Sequence, residues 1–362
     1  MNRLDDSVLR LDSRIGKEGN YYYSARYFPK TCNIIKKHMP DTTCLLQVFQ
    51  KRDNTVIVGT DLYIEAIRKF AECYLDKIKV WSVNDGYIAK ALEPIMQIEA
   101  PYWAIGFLES VSLGHLKRSS GVATNARDCH LAANGKPIMF MADRNDDYHT
   151  QSIDGYACYK SGINTFATNA MCAYWDGLGT GTIPHSLIAH FNGDIIKTCK
   201  AYLEEYPNDK LIALVDFNND VIDDSLDLLD ALGDKIYGVR VDTSKALVDR
   251  TVFQWFHGNN IMELGKFDPR GVCIPLVKHL RESLDFYGYN STKIVVSGGF
   301  NAKKIKEFED NNVPVDIYGV GSSLLDISGF DFTQDVVKIN DKHCAKVGRG
   351  YVENNNLKLH EW

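Results

Sequence analysis

From about residue 137 onward, short apolar runs alternate with amphipathic stretches in a regular order. Ile138–Met141, Leu211–Val215, Ile236–Val241, Ile294–Val296 and Ile317–Val320 each read as a strand. Helical spacing of apolar residues fills the intervals, for example over Ile222–Leu232 and Lys303–Glu309. Repeated strand-then-helix units imply parallel strands. The residues that follow the strands are polar or glycine: Asp216, Asp242, Ser297-Gly298-Gly299 and Gly321-Ser322-Ser323. In a parallel barrel such ends converge on the face where ligands bind.

The chain before residue 120 has a different texture. Cys44–Phe49 and Thr55–Val58 read as strands around the polar turn Lys51-Arg52-Asp53-Asn54. Leu62–Leu75 has helical spacing, Val80–Val83 and Pro94–Ile98 suggest further strands, and Tyr102–His115 reads as a long amphipathic helix. Past Val336 the pattern returns to short alternating segments. The fold class expected is α/β, an irregular TIM-like α/β barrel with an N-terminal mixed α/β module. The expected division is 1–120 for the N-terminal module, 121–335 for the barrel and 336–362 for a tail packing back on that module. At 362 residues the chain exceeds one small core, in keeping with this division.

Composition narrows the function classes. The chain is 45% hydrophobic and 24% charged, with a net charge of −6, which argues against a general nucleic-acid binder but leaves room for a local basic pocket. The nine cysteines are scattered without a Cys-x-x-Cys pair, which fits reduced packing thiols in a cytoplasmic protein. The start Met1–Asp6 is polar and acidic, unlike a signal peptide, and no apolar run is long enough to cross a bilayer.

Several short segments can carry chemistry. Gly181-Thr182-Ile183-Pro184-His185-Ser186 sets a histidine after a run of small residues and before an apolar, helix-like stretch. A neutral imidazole is a nucleophile, so His185 can attack a phosphoryl group; it can equally hydrogen-bond the loop backbone. Ser297-Gly298-Gly299 and Gly319-Val320-Gly321-Ser322 end the last two strands, and two such turns side by side suit a phosphate site. Asp216 and Asp242 suit Mg²⁺, sugar hydroxyls or a developing cation, or else cap helices. Arg240, two residues before Asp242, points to the same side and calls for an anionic partner. Arg144, in Asp143-Arg144-Asn145-Asp146-Asp147, reads as a phosphate or carboxylate ligand or as a salt bridge within an acidic loop.

Together these segments resemble the nicotinate phosphoribosyltransferase family and its nicotinamide-using relative. The matching pieces are Tyr27-Phe28, Pro101-Tyr102-Trp103 with Leu108-Glu109, Val122–Arg127, Arg144, Gly181–Ser186, Asp216, Arg240–Thr243, Val296–Gly299 and Gly319–Ser322. They run over most of the chain, from about Tyr27 to Gly350. The resemblance implies a homodimer with sites across its interface. It also implies that phosphoribosyl pyrophosphate (PRPP) and a pyridine base give a mononucleotide and pyrophosphate with Mg²⁺, driven by ATP through a phosphohistidine.

By the same resemblance His185 is the phosphorylated residue, with Ser186 beside it. Arg144 and Arg240 hold the base carboxylate or phosphates, and Asp216 and Asp242 face the ribose and metal. Ser297, Gly298, Gly299, Gly319, Gly321 and Ser322 cradle the 5′-phosphate. Tyr27 stacks on the base from the partner subunit, Thr124 lies in the substrate site, and Asn164 stands where relatives often carry an aspartate that reads the ring substituent. Departures are the neighbours Asp143 and Asn145, Asn164 itself, Pro184 where some amide-using relatives have glutamate, and a tail with Cys344 alone, which predicts no zinc module. The expected activity is nicotinate phosphoribosyl transfer in NAD salvage. The alternatives are nicotinamide transfer, a decarboxylating quinolinate enzyme, and a catalytically silent nucleotide-binding relative.

Overall fold

A computed structural model describes residues 6–16, 21–258, 261–263 and 265–362; the polar start Met1–Asp5 lies outside them. Strands are numbered in chain order. The N-terminal module holds β1 (Cys44–Gln50), β2 (Thr55–Ile57), β3 (Lys79–Ser82), β4 (Tyr87–Ala89) and β5 (Pro94–Ala100). The barrel holds β6 (Ile138–Phe140), β7 (Thr165–Phe166), β8 (Leu211–Leu214), β9 (Ile236–Val241), β10 (Lys293–Val296) and β11 (Ile317–Val320). The chain ends with β12 (Phe332–Ile339), β13 (Lys342–His343) and β14 (Lys358–Leu359).

The barrel strands form a parallel sheet in the order β7-β6-β11-β10-β9-β8. All four residues of β8 are buried, and so are Val239–Val241 and Ile294–Val296. Such continuous apolar runs belong to strands covered on both faces. The sheet curls so that its two edges, β7 and β8, face each other, and the segment 180–183 spans the gap. Thr180 N–H donates to the Phe166 carbonyl at 2.7 Å, and Ile183 N–H donates to the Ile212 carbonyl at 3.4 Å. This bridge and β7 were invisible in the sequence pattern, because two or three bonded residues are too short to show a period.

The N-terminal module is built on an antiparallel sheet in the order β13-β12-β1-β5-β3-β14. The C-terminal strands thus pair with the first part of the chain: β12 with β1, and β14 with β3. The turn Lys51–Asn54 does not make a hairpin of β1 and β2, contrary to expectation. β2 leaves the large sheet and pairs with β4. The N–H groups of Val56 in β2 and of Val58 just after it are taken instead by a later helix.

That helix is Glu109–Ala132, and it corrects the expected Tyr102–His115 helix. A short helix over Tyr102–Ile105 ends at Gly106, where a Cβ would meet the Tyr102 ring at 2.5 Å. The long helix then runs across position 120. Its middle turns, Ser119–Thr124, are entirely buried between β2 on one side and barrel helices on the other. Small side chains permit this. A Cβ on Gly121 would lie 2.8 Å from Ile327. Ser120 Oγ bridges the N–H and C=O of Val58, each at 3.1 Å, and Thr124 Oγ1 accepts from Val56 N–H at 2.9 Å. An all-round buried helix shows little amphipathic period.

Separate apolar cores fill the barrel and the N-terminal module. The described cysteines are all free thiols, most of them buried. Among the described residues no helix is long and apolar enough to cross a membrane.

Candidate active site

Strand register fixes which side chains share the barrel interior. Leu214 and Val295 both lie opposite Arg240 on β9. Side chains alternate along a strand, so Asp216, Asp242 and Ser297, each two residues further on, continue the same face. Ser297 N–H donates to the Val241 carbonyl at 3.0 Å, which locks the β10 end beside the β9 end. Two carboxylates, a guanidinium and a hydroxyl therefore meet at one mouth.

The site is strongly charged and partly dry. Arg240 is 7% exposed and reaches Asp242 Oδ2 with Nη2 at 3.8 Å. Burial lowers its pKa, Asp242 and then Asp216 oppose that, and the nearby Arg144 adds to the lowering. The Asp216 carboxyl is pushed up, by burial first and by Asp242, while His185 works the other way. His185 Nε2 lies 3.2 Å from Asp216 Oδ1, and the imidazole is half exposed on the first turn of the helix His185–His190. With the carboxylate accepting from Nε2–H, the lone pair sits on Nδ1, facing away from that bond.

Among the described residues three buried polar atoms here find no partner: Arg240 Nε, Thr243 Oγ1 and Ser297 Oγ. Leaving one buried donor or acceptor unmatched costs about 1–3 kcal/mol. Three at one strand-end cluster argue for a polar ligand that supplies the missing bonds. Thr243 belonged to the matching segment Arg240–Thr243 but was given no role from the sequence; its position one residue past a strand-end aspartate was the available signal.

The glycines divide by role. Gly298 and Gly299 have φ of +87° and +77°, a left-handed path that side chains disfavour. A Cβ on Gly298 would stand 3.3 Å from Asp242 Oδ1, so the turn lies directly against the carboxylate. Gly321 leaves open backbone beside Asn145 and Met141, and Ser322 is exposed at the start of the following turn. Gly319 departs from expectation. It is buried within β11, and a Cβ there would come within 2.6 Å of Met141 Sδ and 3.1 Å of Ser297 Cβ. Its bareness makes room for protein packing, not for a ligand.

Other expected residues fall elsewhere. Thr124 is 1% exposed, and its hydroxyl is consumed between Val56 N–H and the Ser120 carbonyl; it ties the long helix to β2 and is closed to a substrate. Asn164 is exposed and immediately precedes β7, whose Thr165 pairs with Met139 and through it with Gly319, so strand register sets it within about a residue of the level of Ser297 and Asp242. Tyr27 lies on the first turn of the helix Tyr27–His38 in the N-terminal module, 63% exposed and against Phe28. Arg144 is exposed at the mouth and forms no ion pair among the described residues. Its loop is held from behind: Arg118 of the long helix binds Asp154 through two bonds of 2.8 Å and Asp146 at 2.8 Å.

Asp216 and Asp242 are hard oxygen donors on one face, repelling each other, and so fit a divalent cation of the Mg²⁺ type. Among the described residues no group of three or more ligating side chains exists. Mg²⁺ commonly takes only one or two carboxylates and completes its shell with phosphate oxygens and water.

Comparison with known proteins agrees with this architecture. Residues 26–120 match the family described as quinolinate phosphoribosyl transferase, N-terminal domain. The nicotinate phosphoribosyltransferase pncB2 of Mycobacterium tuberculosis is 24% identical over 282 residues, 75% of this chain and 54% of that protein. Its relative pncB1 from the same organism is also 24% identical, over 325 residues, 81% of this chain and 66% of that protein. The chain thus spans about half to two thirds of the length of these curated relatives.

Among solved structures, nicotinate-nucleotide pyrophosphorylase from Pyrococcus furiosus superposes with a TM-score of 0.77 at 27% identity, over 99% of this chain and 85% of that one. Human nicotinic acid phosphoribosyltransferase shares the fold, with a TM-score of 0.62 at 14% identity over 89% of this chain and 76% of that one. In its barrel with an antiparallel N-terminal module the chain shares the fold of these structures, and its N-terminal segment is similar to that of quinolinate phosphoribosyl transferases.

Proposed function

We propose that the protein is an ATP-coupled nicotinate phosphoribosyltransferase of NAD biosynthesis. The observation that carries this reading is the exposed imidazole of His185 bonded at 3.2 Å to the buried carboxylate of Asp216, at the mouth that also holds Arg240, Asp242 and the glycine turn. The curated relatives that match are nicotinate enzymes by name, which supports the same choice of base.

The roles follow from position. Gly298, Gly299 and Gly321, with Ser297 and Ser322, receive the 5′-phosphate of PRPP on backbone N–H groups and hydroxyls. Asp242 faces the ribose. As pyrophosphate leaves, positive charge grows on the anomeric carbon, and a fixed carboxylate stabilises it. The pyridine nitrogen then forms the new C–N bond as the C–O bond to pyrophosphate breaks. Arg240, short of one partner at Nε, suits the base carboxylate or a phosphate oxygen. Arg144 adds positive charge at the entrance. Mg²⁺ held by Asp216 and Asp242 would neutralise the departing pyrophosphate. Tyr27, exposed and remote in sequence from the barrel, would stack on the base of a second copy in a homodimer.

ATP enters through His185. Nδ1 attacks the γ-phosphorus, the bond to ADP breaks, and Asp216 keeps the Nε2 proton in place. Water later hydrolyses the P–N bond and releases phosphate. A phosphate on this ring adds negative charge and oxygen donors beside the carboxylate pair.

The N-terminal match favours a second reading, decarboxylating transfer to quinolinate. That base brings two carboxylates, whereas of the two mouth arginines only Arg240 is buried. Product assays with nicotinate, nicotinamide and quinolinate, each with and without ATP, decide. Nicotinate mononucleotide formed faster with ATP supports the proposal. Turnover of quinolinate alone, with CO₂ release and no response to ATP, replaces it. Preference for nicotinamide reassigns the base, and no product from any base marks a silent binder.

A further inference from the structure

We propose that a cavity on the outer side of the Gly298–Gly299 turn is a second anion site, where Lys245 and Lys304 take a phosphate group. The cavity has a volume of ≈ 480 Å³. It lies between the segment after β9, the Arg270 turn and the starts of the helices Ile274–Phe286 and Ala302–Asp310. The sugar-phosphate cradle faces the barrel interior through Ser297; this cavity is walled instead by Cys273 and Phe308 on the outside of the sheet.

Two ammonium groups meet there. Lys245 bends back over the turn, so that a methyl group on Gly299 would collide with its ammonium. Lys304 stands on the first turn of its helix, with Nζ 4.3 Å above the Phe300 ring and 5.7 Å from that of Phe308. Neither lysine has a carboxylate within ion-pair distance among the described residues. Arg270 differs: Asp268 clamps it through two bonds of 2.8 Å. The charge in the cavity that no ion pair holds is therefore the lysine pair, with Glu307 on the rim attracting Lys304 from beyond ion-pair distance. Burial lowers the Lys304 pKa, and repulsion from Lys245 lowers it further.

The arrangement is held rather than accidental. Gly271, at φ +68°, brings its backbone against Lys245, where a Cβ would stand 3.3 Å from the lysine Cα. Gly271 N–H donates to the Leu247 carbonyl at 2.8 Å. The loop that carries Lys245 is thereby fixed against the cavity wall. Two like charges held near each other without a directly bonded counter-charge cost free energy that a phosphate dianion returns, and lysines serve phosphate well as point charges. The Cys273 thiol has its pKa raised by burial, so it stays neutral and does not oppose an anion. The group could be free inorganic phosphate or the tail of a nucleoside triphosphate.

The test is independent of which pyridine base the enzyme uses. The protein is saturated with ribose 5-phosphate to fill the cradle, and amine acylation at each lysine is followed by peptide mass spectrometry. Added inorganic phosphate at about four times its dissociation constant is expected to slow labelling of Lys245 and Lys304 about fivefold, with exposed Lys303 unchanged. Protection by a non-hydrolysable ATP analogue at lower concentration than phosphate identifies a nucleotide tail; equal or weaker protection identifies free phosphate. Lys304→Met, which keeps the apolar stem over Phe300, should abolish protection of Lys245, and Lys304→Arg should keep it. Labelling that neither anion alters overturns the proposal. So does protection that ribose 5-phosphate gives in full by itself.

Discussion

Replacing Asp242 by asparagine is expected to cut turnover about 100- to 1000-fold at saturating substrates, the scale seen when one preorganised electrostatic partner of a transition state is removed. The change keeps the shape of the side chain, and with it the packing beside Gly298, where a Cβ would stand 3.3 Å from Oδ1. It removes only charge. That charge is needed most when pyrophosphate has begun to leave and the ribose carbon is cationic, so kcat should fall more than KM rises. Folding should be nearly untouched. The carboxylate is partly exposed, its ion pair with Arg240 is long at 3.8 Å, and its repulsion with Asp216 disappears in the variant. Thermal melting and initial rates with nicotinate and PRPP check both halves. Turnover within a few-fold of the parent protein, with the melting temperature unchanged, would remove Asp242 from the chemistry.

The parts of this site that could be read in the sequence are those set by strand ends. A run such as Ile236–Val241 closing on Asp242 specifies a buried parallel strand and the face its last polar residue joins, and β9 was legible to the residue. Ser297-Gly298-Gly299 was legible for the same reason. What failed was context that no local period carries. Thr124 looked like part of a substrate motif, yet its hydroxyl answers Val56 N–H in a tertiary contact 68 residues away. The long helix that carries it hides its period because both flanks are buried. Gly319 matched a phosphate turn in spelling, and only the neighbouring Met141 shows that its empty side is already filled.

His185→Ala is expected to eliminate stimulation by ATP while leaving the slower, ATP-independent transfer of phosphoribose to the base. The imidazole is half exposed and makes one side-chain bond, so its loss should change stability little. Incubation with γ-labelled ATP should yield acid-labile phosphate on the parent protein and none on the variant. Asp216→Asn offers the complementary result. An amide can turn its NH₂ toward Nε2 and so stabilise the other tautomer, with the lone pair aimed at the wrong side. The histidine would survive in that variant but be phosphorylated more slowly, by about 100-fold or more if orientation and proton placement carry the usual weight. The sign of the pH response follows from the same pair. Burial raises the Asp216 pKa, so falling pH protonates this carboxylate sooner than an exposed aspartate and removes the acceptor for Nε2–H. ATP stimulation should therefore fade on the acid side. Persistence of full stimulation in His185→Ala would refute the phosphohistidine, whatever base the enzyme proves to use.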